Sequence, residues 1–254
     1  MRADQLLAVR GLAASRTAAQ RLIEAGRVRC EMIRGKVRVW ETVAKASLDL
    51  AEDTPVEVLP DADDRYVSRG GLKLAGALTH TGLDVTGWIC LDVGQSTGGF
   101  TDCLLQAGAA RVIGVDVGHA QLHPRLAADP RVACLEGVNA RNLTPAGLSP
   151  LIPPAGFDLI VADAAFISLS LLIPAWPTLV RRGGQVLALV KPQFEVGRQG
   201  IGKRGLVRDA ARYATVEANI RAACARAGLQ VQAWFDSPIT GGDGNREFFL
   251  WARV

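Results

Sequence analysis

A glycine-rich turn in residues 91–102 has the composition of a site for an anionic group. A hydrophobic run leads into Gly94, and Gly98 and Gly99 then open a predicted helix. Glycines let the backbone approach a ligand closely, and the free N–H groups at the start of a helix attract an anion. Asp116 ends the next predicted strand, where its carboxylate can accept both hydroxyls of a ribose. The turn therefore predicts a ligand that contains a nucleoside.

Three interpretations of this turn remain open on the residues alone. A dinucleotide would need the spacing G-x-G-x-x-G, whereas the glycines here stand at positions 94, 98 and 99. S-adenosylmethionine presents a carboxylate and a ribose, which need the same two elements. An empty tight turn is the third interpretation. A P-loop is excluded because no Gly-Lys-Ser/Thr follows.

Two further polar residues come directly after hydrophobic runs. Asp163 follows residues 157–162, and Lys191 follows residues 185–190. Ligands of open α/β sheets bind at the carboxyl ends of the strands, so both side chains are expected beside the turn at Gly94. A lysine and a carboxylate in that position can belong to a functional site. An ion pair that serves only the fold is the alternative.

Two more charged residues lie at positions that local structure does not explain. Lys73 lies early in a helix predicted to start after Ser68, where a cation opposes the helix dipole, and Arg69 lies one turn earlier. Glu247 follows a glycine-rich turn and precedes the last predicted strand, residues 248–254. Taken alone, these side chains fit either a functional cluster or exposed surface charge.

Compact runs rich in β-branched residues surround these positions. They lack the alternation of half-exposed strands and cover residues 88–93, 111–115, 157–162 and 185–190. Such runs are typical of strands buried on both faces of a parallel sheet, and helical segments lie between them. A long helix is predicted over 208–227, capped by Asp209 and stopped by Gly228. Residues 67–254 are therefore predicted to form a doubly wound α/β domain.

The first 60 residues are predicted to form a smaller α+β domain with a different charge. Residues 1–45 hold ten Lys/Arg and four Asp/Glu, a net charge of +6, whereas the remainder has a net charge of −2. A basic head indicates an anionic partner, and a solvated charged face is the alternative. The polar segment 61–66 is the predicted linker.

Two helices and a small sheet are predicted in this head. Asp4 and Ser15 are the predicted N-caps, and alternating runs predict strands at 27–30, 36–40 and 56–59. The stretch 12–28 resembles the small RNA-binding S4 domain, named after a ribosomal small-subunit protein. Its members usually turn a hairpin at Val-Asn-Gly, and residues 30–36 replace that motif here.

Six motifs together resemble the TlyA family, in that family's order along nearly the whole chain. They are residues 66–74, 91–102, 129–132, 166–169, 190–197 and 237–248. The family joins an S4-type RNA-binding head to an FtsJ-like methyltransferase domain with a Rossmann-like sheet. The resemblance implies an S-adenosylmethionine-dependent rRNA 2'-O-ribose methyltransferase that acts on cytidines of 16S and/or 23S rRNA, with rRNA or ribosomal subunits as its partner. Many members carry an older haemolysin label.

The same resemblance implies roles for individual residues. FtsJ-like enzymes use a Lys-Asp-Lys-Glu catalytic tetrad, which falls on Lys73, Asp163, Lys191 and Glu247, with Lys191 acting on the hydroxyl. The cofactor would contact Gly94, Ser96, Thr97, Gly98, Gly99, Asp116, Asn139 and Asp163, and Asn139 would bind the adenine edge. RNA would contact Arg10, Arg16, Gln20, Arg27, Arg69, Arg198, Lys203 and Arg204.

Composition argues against several other classes of protein. Five scattered cysteines without a C-x-x-C pair disfavour a disulfide framework or a zinc site, so we expect no metal. The N-terminus lacks the apolar core of a signal peptide, so we expect a cytoplasmic protein that avoids membranes. We infer no obligate protein partner from the sequence. The alternatives to the methyltransferase are a non-catalytic RNA-binding or ribosome-assembly factor, a membrane-active haemolysin and a NAD-dependent enzyme.

Overall fold

The hydrophobic runs of the sequence form the centre of a seven-stranded sheet. In this computed structural model the described residues are 1–13, 15–35, 37–60, 65–202, 205–242 and 244–254. The chain divides into two units, Met1–Ala62 and Asp63–Val254, and each has its own hydrophobic core. We call the first unit the head and the second the large unit.

Two helices and a three-stranded antiparallel sheet build the head. The elements are α1 (Ala3–Val9), α2 (Arg16–Glu24), β1 (Val28–Arg34), β2 (Val37–Thr42) and β3 (Val56–Val58). Ser15 caps α2 as predicted, because its side chain accepts a hydrogen bond from the Ala18 N–H at 3.1 Å. The prediction that Asp4 caps α1 is wrong. That helix starts at Ala3, and the Asp4 side chain is fully buried in its first turn.

The hairpin of the head is longer than the sequence predicts. β1 and β2 stay in register up to the pair Arg34↔Val37, so the chain turns at Gly35, whose φ is +67°. Val28 and Cys30 on β1 are buried in the core of the head, which fixes the register of the strand. Residues after Cys30 therefore continue the strand past the point where the family hairpin usually turns.

Four α-helices and seven β-strands, eleven elements in all, form the described part of the large unit. They are α3 (Gly70–Thr81), β4 (Ile89–Val93), α4 (Gly99–Gln106), β5 (Arg111–Val115), α5 (Pro124–Ala127), β6 (Val132–Leu135), β7 (Phe157–Ala162), β8 (Val180–Val190), α6 (Arg212–Arg226), β9 (Gln230–Asp236) and β10 (Phe248–Arg253). The strand order is β6-β5-β4-β7-β8-β10-β9, with β10 antiparallel to both of its neighbours. Hydrophobic clusters cover both faces, with α3 and α4 on one and α6 on the other. This arrangement confirms the predicted doubly wound α/β fold.

The edges of the sheet and two boundaries differ from the prediction. The sequence predicts neither β6, whose four residues are all half-buried, nor β9, where three of seven residues are exposed. β8 begins at Val180, five residues earlier than predicted, and runs through two arginines and two glycines. α6 begins at Arg212, because Asp209 accepts from the Ala211 N–H at 2.9 Å and caps a turn before the helix.

Candidate functional site

The carboxyl edge of the sheet brings together the polar residues that follow its strands. β4, β5, β7 and β8 are parallel, so the segments after them lie along one edge. Asp163 and Lys191 directly follow β7 and β8. Glu247 directly precedes the antiparallel β10, and Phe248 pairs with Val190. Glu247 therefore comes to the same edge as Lys191 from the opposite chain direction.

Four charged side chains form two ion pairs at this edge. Nζ of Lys73 lies 2.5 Å from Oε2 of Glu247, and Nζ of Lys191 lies 2.5 Å from Oδ1 of Asp163. The side chains of Lys73 and Glu247 are 10% and 3% exposed, and those of Lys191 and Asp163 are 14% and 21% exposed. Charges at this depth need a partner, because burying a lone charge costs several kcal/mol. Exposed surface charge is therefore excluded for Lys73 and Glu247.

The two ion pairs and the glycine turn belong to one site. The Asp163 N–H donates to the carbonyl of Val93 at 2.9 Å, directly before the turn. A Cβ on Gly94, whose φ is +83°, would lie 2.9 Å from the carbonyl oxygen of Asp163. A Cβ on Gly70 would lie 3.6 Å from Oδ2 of Asp163, so α3, which carries Lys73, starts against the same carboxylate. Asp163 thus connects the turn, α3 and Lys191.

Asp116 fixes the shape of the glycine turn. Its Oδ2 accepts from the Ser96 N–H at 2.8 Å, and its Oδ1 accepts from the Gly118 N–H at 2.7 Å. Each carboxylate oxygen keeps a lone pair that can accept a hydroxyl proton. Ser96 and Thr97 are exposed at the tip of the turn, whereas Gly98 and Gly99 are buried. A Cβ on Gly98 would lie 2.4 Å from the side chain of Leu126, so the turn requires glycine there.

Asn139 lies in the segment that follows β6. The Val138 N–H donates to the carbonyl of Asp116 at 2.9 Å, which places Asn139 beside the end of β5. Oδ1 of Asn139 accepts from the Arg141 N–H at 3.0 Å and caps a short 3-10 turn. This oxygen therefore already has one partner within the chain and keeps one lone pair for the expected adenine edge. Nδ2 of Asn139 can donate to the same edge.

The segment that follows Asp163 carries an exposed aromatic ring. Phe166, three residues after Asp163, is 91% exposed, and its φ of +63° is a strained value for a residue with a side chain. Its ring centroid lies 5.2 Å from that of Phe194. An exposed ring held in a strained backbone at the edge of a site is typical of a ligand contact.

Comparisons with known proteins identify the family. A family model described as FtsJ-like methyltransferase matches residues 66–254, and a model described as S4 domain matches residues 1–31. The chain belongs to the FtsJ-like methyltransferase family. We therefore call the large unit the FtsJ-like domain.

Relatives over the full chain confirm the resemblance to the TlyA family. The 16S/23S rRNA (cytidine-2'-O)-methyltransferase TlyA of Mycobacterium tuberculosis is 41% identical, with 100% of this chain and 90% of that protein covered. Hemolysin A of Brachyspira hyodysenteriae is 36% identical, with 98% of each chain covered. The solved structure of a hemolysin-named protein from Streptococcus thermophilus is 40% identical, has a TM-score of 0.75, and covers 100% of this chain and 88% of its own. The helices within the described residues include none that could span a bilayer.

A buried polar network that the sequence analysis does not predict lies under the glycine turn of the FtsJ-like domain. Oγ1 of Thr101 donates to Oδ2 of Asp92 at 2.7 Å, and Nε2 of Gln95 donates to Oγ1 of Thr101 at 2.8 Å. Burial raises the pKa of Asp92 to about 7, although the hydrogen bond from Thr101 acts in the opposite direction. One acidic residue inside the apolar run of β4 is the signal that could have indicated this network.

The head holds two of the predicted RNA-binding residues around a buried carboxylate. Arg16 and Gln20 donate to Oδ2 of Asp4 at 3.2 and 2.8 Å, and Arg2 donates to both of its oxygens. The hydrogen bond from Arg2, followed by those from Gln20 and Arg16, holds the pKa of Asp4 well below its usual range, although burial opposes this shift. Asp4 therefore organises one basic surface of the head.

The other predicted RNA-binding residues have varied surroundings. Arg10 donates to the backbone carbonyls of residues 52 and 54, and Arg27 donates to the carbonyl of residue 59. Arg69 is exposed at the start of α3. Lys203, Arg204 and the side chain of Arg198 lie outside what the structure describes.

Proposed function

We propose that this chain is an S-adenosylmethionine-dependent rRNA 2'-O-ribose methyltransferase that acts on cytidines of 16S rRNA, 23S rRNA or both. The observation that carries the proposal is the convergence of two lysine–carboxylate pairs, one buried and one half-buried, beside the glycine turn. The M. tuberculosis relative supports the choice of RNA, ribose position and base. We assign the RNA anchor to residues 1–60, a linker to 61–66 and the catalytic domain to 67–254.

The glycine turn and its neighbours fit S-adenosylmethionine. Gly94 and Gly98 have φ values of +83° and +93°, which glycine adopts without strain, and they fold the backbone of the turn so that its N–H groups can face an anionic group. The carboxylate of Asp116 has lone pairs for the two ribose hydroxyls, and Asn139 is placed to donate to or accept from an adenine edge. Ser96, Thr97 and Gly99 complete the turn around the methionine portion. When bound, this cofactor would supply a methyl group attached to a positively charged sulfur, and loss of the methyl group would turn that sulfur into a neutral thioether.

Lys191 is the residue that we assign to the reacting hydroxyl. A ribose hydroxyl is a poor nucleophile, so the protein must orient its oxygen and help to remove its proton. Asp163 holds Lys191 at 2.5 Å, which aims the lysine nitrogen and leaves its other N–H groups for the substrate oxygen. A lysine in this position can stabilise the negative charge that develops on the oxygen, or accept the proton in its neutral form. Lys73 and Glu247 position the ribose.

Phe166 offers a stacking surface for the target base. RNA bases that leave their helix stack on aromatic side chains, and the exposed ring of Phe166 packs against Phe194, which follows Lys191 by three residues. This arrangement suits a single nucleotide turned out of an rRNA loop.

The basic head supplies phosphate contacts. Arg16 and Gln20 face the surface next to Asp4, and residues 1–45 have a net charge of +6. We assign further phosphate contacts to four basic residues of the catalytic domain, Arg69, Arg198, Lys203 and Arg204. An rRNA substrate implies a cytoplasmic protein that works on ribosomal subunits.

Mapping of 2'-O-methyl groups tests the proposal. Purified 30S and 50S subunits from a strain that lacks this protein are incubated with the protein and S-adenosylmethionine, and both rRNAs are mapped before and after. We expect a new 2'-O-methylcytidine in at least one rRNA. The absence of any new methyl group on both subunits and on free rRNA would refute the proposal.

A further inference from the structure

Glu195 joins the two segments that carry the catalytic ion pair. Its Oε2 accepts a hydrogen bond from Oγ of Ser168 at 2.5 Å, and its Oε1 accepts from the Leu169 N–H at 2.8 Å. Ser168 lies five residues after Asp163, and Glu195 lies four residues after Lys191. The carboxylate therefore closes a short bridge between the chain that leaves β7 and the chain that leaves β8.

The bridge is supported from both sides. Ser170 donates through its N–H to Oγ of Ser168 at 3.2 Å, and the two serine hydroxyls lie 2.7 Å apart. Phe166 and Phe194 pack against each other in the same two segments. Glu195 ends a 3-10 turn that begins directly after Lys191, so a movement of Glu195 is transmitted to Lys191 over one turn of chain. The two segments thus form a unit that we call the Glu195 clamp, made of residues 166–170 and 192–195.

The clamp acts on the two backbones that carry the ion pair. Nζ of Lys191 lies 2.5 Å from Oδ1 of Asp163, and this oxygen is buried. The attraction between the two charges holds them together, but it acts in all directions and does not by itself fix the angle at which the lysine nitrogen meets a substrate oxygen. The positions of the two backbones set that angle.

A bridge that serves only the fold does not need a charged residue such as Glu195, whose desolvation costs free energy. Burial raises the pKa of its carboxyl group, and the hydrogen bonds from Ser168 and Leu169 act against this shift. A partly buried carboxylate with two donors gives strong, charge-assisted hydrogen bonds that restrict motion. Apolar packing alone would stabilise these segments without the cost of desolvating a charge.

We propose that Glu195 is a positioning residue for methyl transfer, which fixes the Lys191–Asp163 pair and Phe166 by clamping the segments after β7 and β8. This proposal rests on the proposed function, because it assigns the clamp to that reaction. It requires that loss of the clamp slows the chemical step more than it weakens the binding of cofactor or RNA.

Three variants test the clamp in the full chain. Glu195→Ala removes both acceptors, Glu195→Gln keeps one carbonyl oxygen and the shape of the side chain, and Ser168→Ala removes one donor. Glu217→Ala is the matched control, because Glu217 is a carboxylate of the same domain that pairs with Arg221 on the exposed face of α6. Single-turnover methylation of rRNA, S-adenosylmethionine affinity and amide hydrogen exchange are measured for each.

We expect Glu195→Ala to lower the single-turnover rate by about 10- to 100-fold, the usual effect of displacing a catalytic group by about 1 Å. Glu195→Gln should retain the rate within about fivefold, since it replaces a charge-assisted bond with a neutral one. The midpoint of the pH–rate profile should move in Glu195→Ala and stay in place in Glu217→Ala. Exchange at Leu169 should become faster in Glu195→Ala, while cofactor and RNA affinities stay within about twofold.

A wild-type rate in Glu195→Ala, with faster exchange at Leu169, would overturn the proposal and leave the proposed function intact. Equal losses of rate and cofactor affinity, or equal loss in Glu195→Gln and Glu195→Ala, would also overturn it, because they indicate a general structural role. If the wild-type protein methylates no RNA, the proposed function fails instead, and the hydrogen-exchange result alone then describes the clamp as a structural bridge.

Discussion

Breaking the Lys73–Glu247 pair should separate stability from catalysis in the FtsJ-like domain. Lys73→Met removes the ammonium and keeps a side chain of similar length, so Glu247 is left as a lone carboxylate with 3% of its surface exposed. Removing one partner of a buried ion pair typically costs about 3–5 kcal/mol. Because the side chain of Lys73 is 10% exposed, water can reach the lone carboxylate from that side, and we expect a loss near the lower end, about 3 kcal/mol.

The double variant Lys73→Met/Glu247→Met should recover most of this stability. It leaves two apolar side chains of nearly the same size as the originals, and such replacements of buried pairs are often neutral or stabilising. We therefore expect the double variant to lie within about 1 kcal/mol of the wild type. Both variants should have lost methyl transfer, because the ribose-positioning charges are gone in each.

Urea unfolding followed by tryptophan fluorescence measures these values. Four of the five tryptophans belong to the FtsJ-like domain, so the signal reports mainly on this unit. Arg221→Met is the control, since its pair with Glu217 is exposed and should be worth less than about 1 kcal/mol. A loss under 1 kcal/mol in Lys73→Met, or equal losses in the single and double variants, would contradict the reasoning on burial. An active double variant would contradict the assignment of both residues to the site.

Three further perturbations follow from the site and the head. Asp116→Ala should weaken S-adenosylmethionine binding by about 1.5–3 kcal/mol in calorimetry, whereas Asp129→Ala, at a half-buried carboxylate paired with Arg131, should not. Equal affinities in the two variants would remove Asp116 from the cofactor site. Asp4→Asn should weaken rRNA binding and leave cofactor binding unchanged, because Arg16 and Gln20 lose their charged acceptor. The rRNA affinity of the wild-type chain should fall as the salt concentration rises, and a salt-independent affinity would exclude phosphate contacts. Asp92 has a folded pKa of about 7 against about 4 when unfolded, so its contribution to stability is greatest below pH 4 and declines as the pH rises to 7. Asp92→Asn should therefore melt higher than the wild type at pH 8 and closer to it at pH 5, and the opposite order would contradict a raised pKa.

The centre of the sheet could be predicted from sequence because burial on both faces leaves a simple pattern. The runs at 111–115 and 157–162 are β5 and β7 with the same boundaries. β9 escapes prediction because an edge strand is covered on fewer sides and can carry polar residues, whereas β6 is an apolar run of only four residues, too short for a clear pattern. The start of β8 escapes it because arginines and glycines next to Val180 have the composition of a turn, and only pairing with Phe157 shows that they form a strand.

Some residues of the candidate site could likewise be predicted from sequence, and others could not. Asp163 and Lys191 could be placed because residues after parallel strands share one edge. The contact between Lys73 and Glu247 joins residues 174 positions apart, and no local pattern encodes such a pair. The prediction for Asp4 is wrong for a different reason. Aspartate favours helix caps, but the buried carboxylate of Asp4 accepts hydrogen bonds from three side chains of the head instead. Glu195 lies in an irregular segment whose sequence gives no indication of its partners.

The most direct test of the central claim is methyl transfer by Lys191 variants under single-turnover conditions, with cofactor and RNA affinities measured in parallel. Lys191 follows a buried strand and precedes Pro192, so its backbone is extended and its side chain is aimed by rigid structure. Lys191→Ala should abolish methylation and leave both affinities within about threefold, because the residue acts on the nucleophile. Lys191→Arg should also fail, since a guanidinium does not deprotonate and is wider than an ammonium. Near-wild-type turnover in Lys191→Arg would exclude a neutral-base role, and full activity in Lys191→Ala would contradict the claim that the Lys191–Asp163 pair carries the reaction.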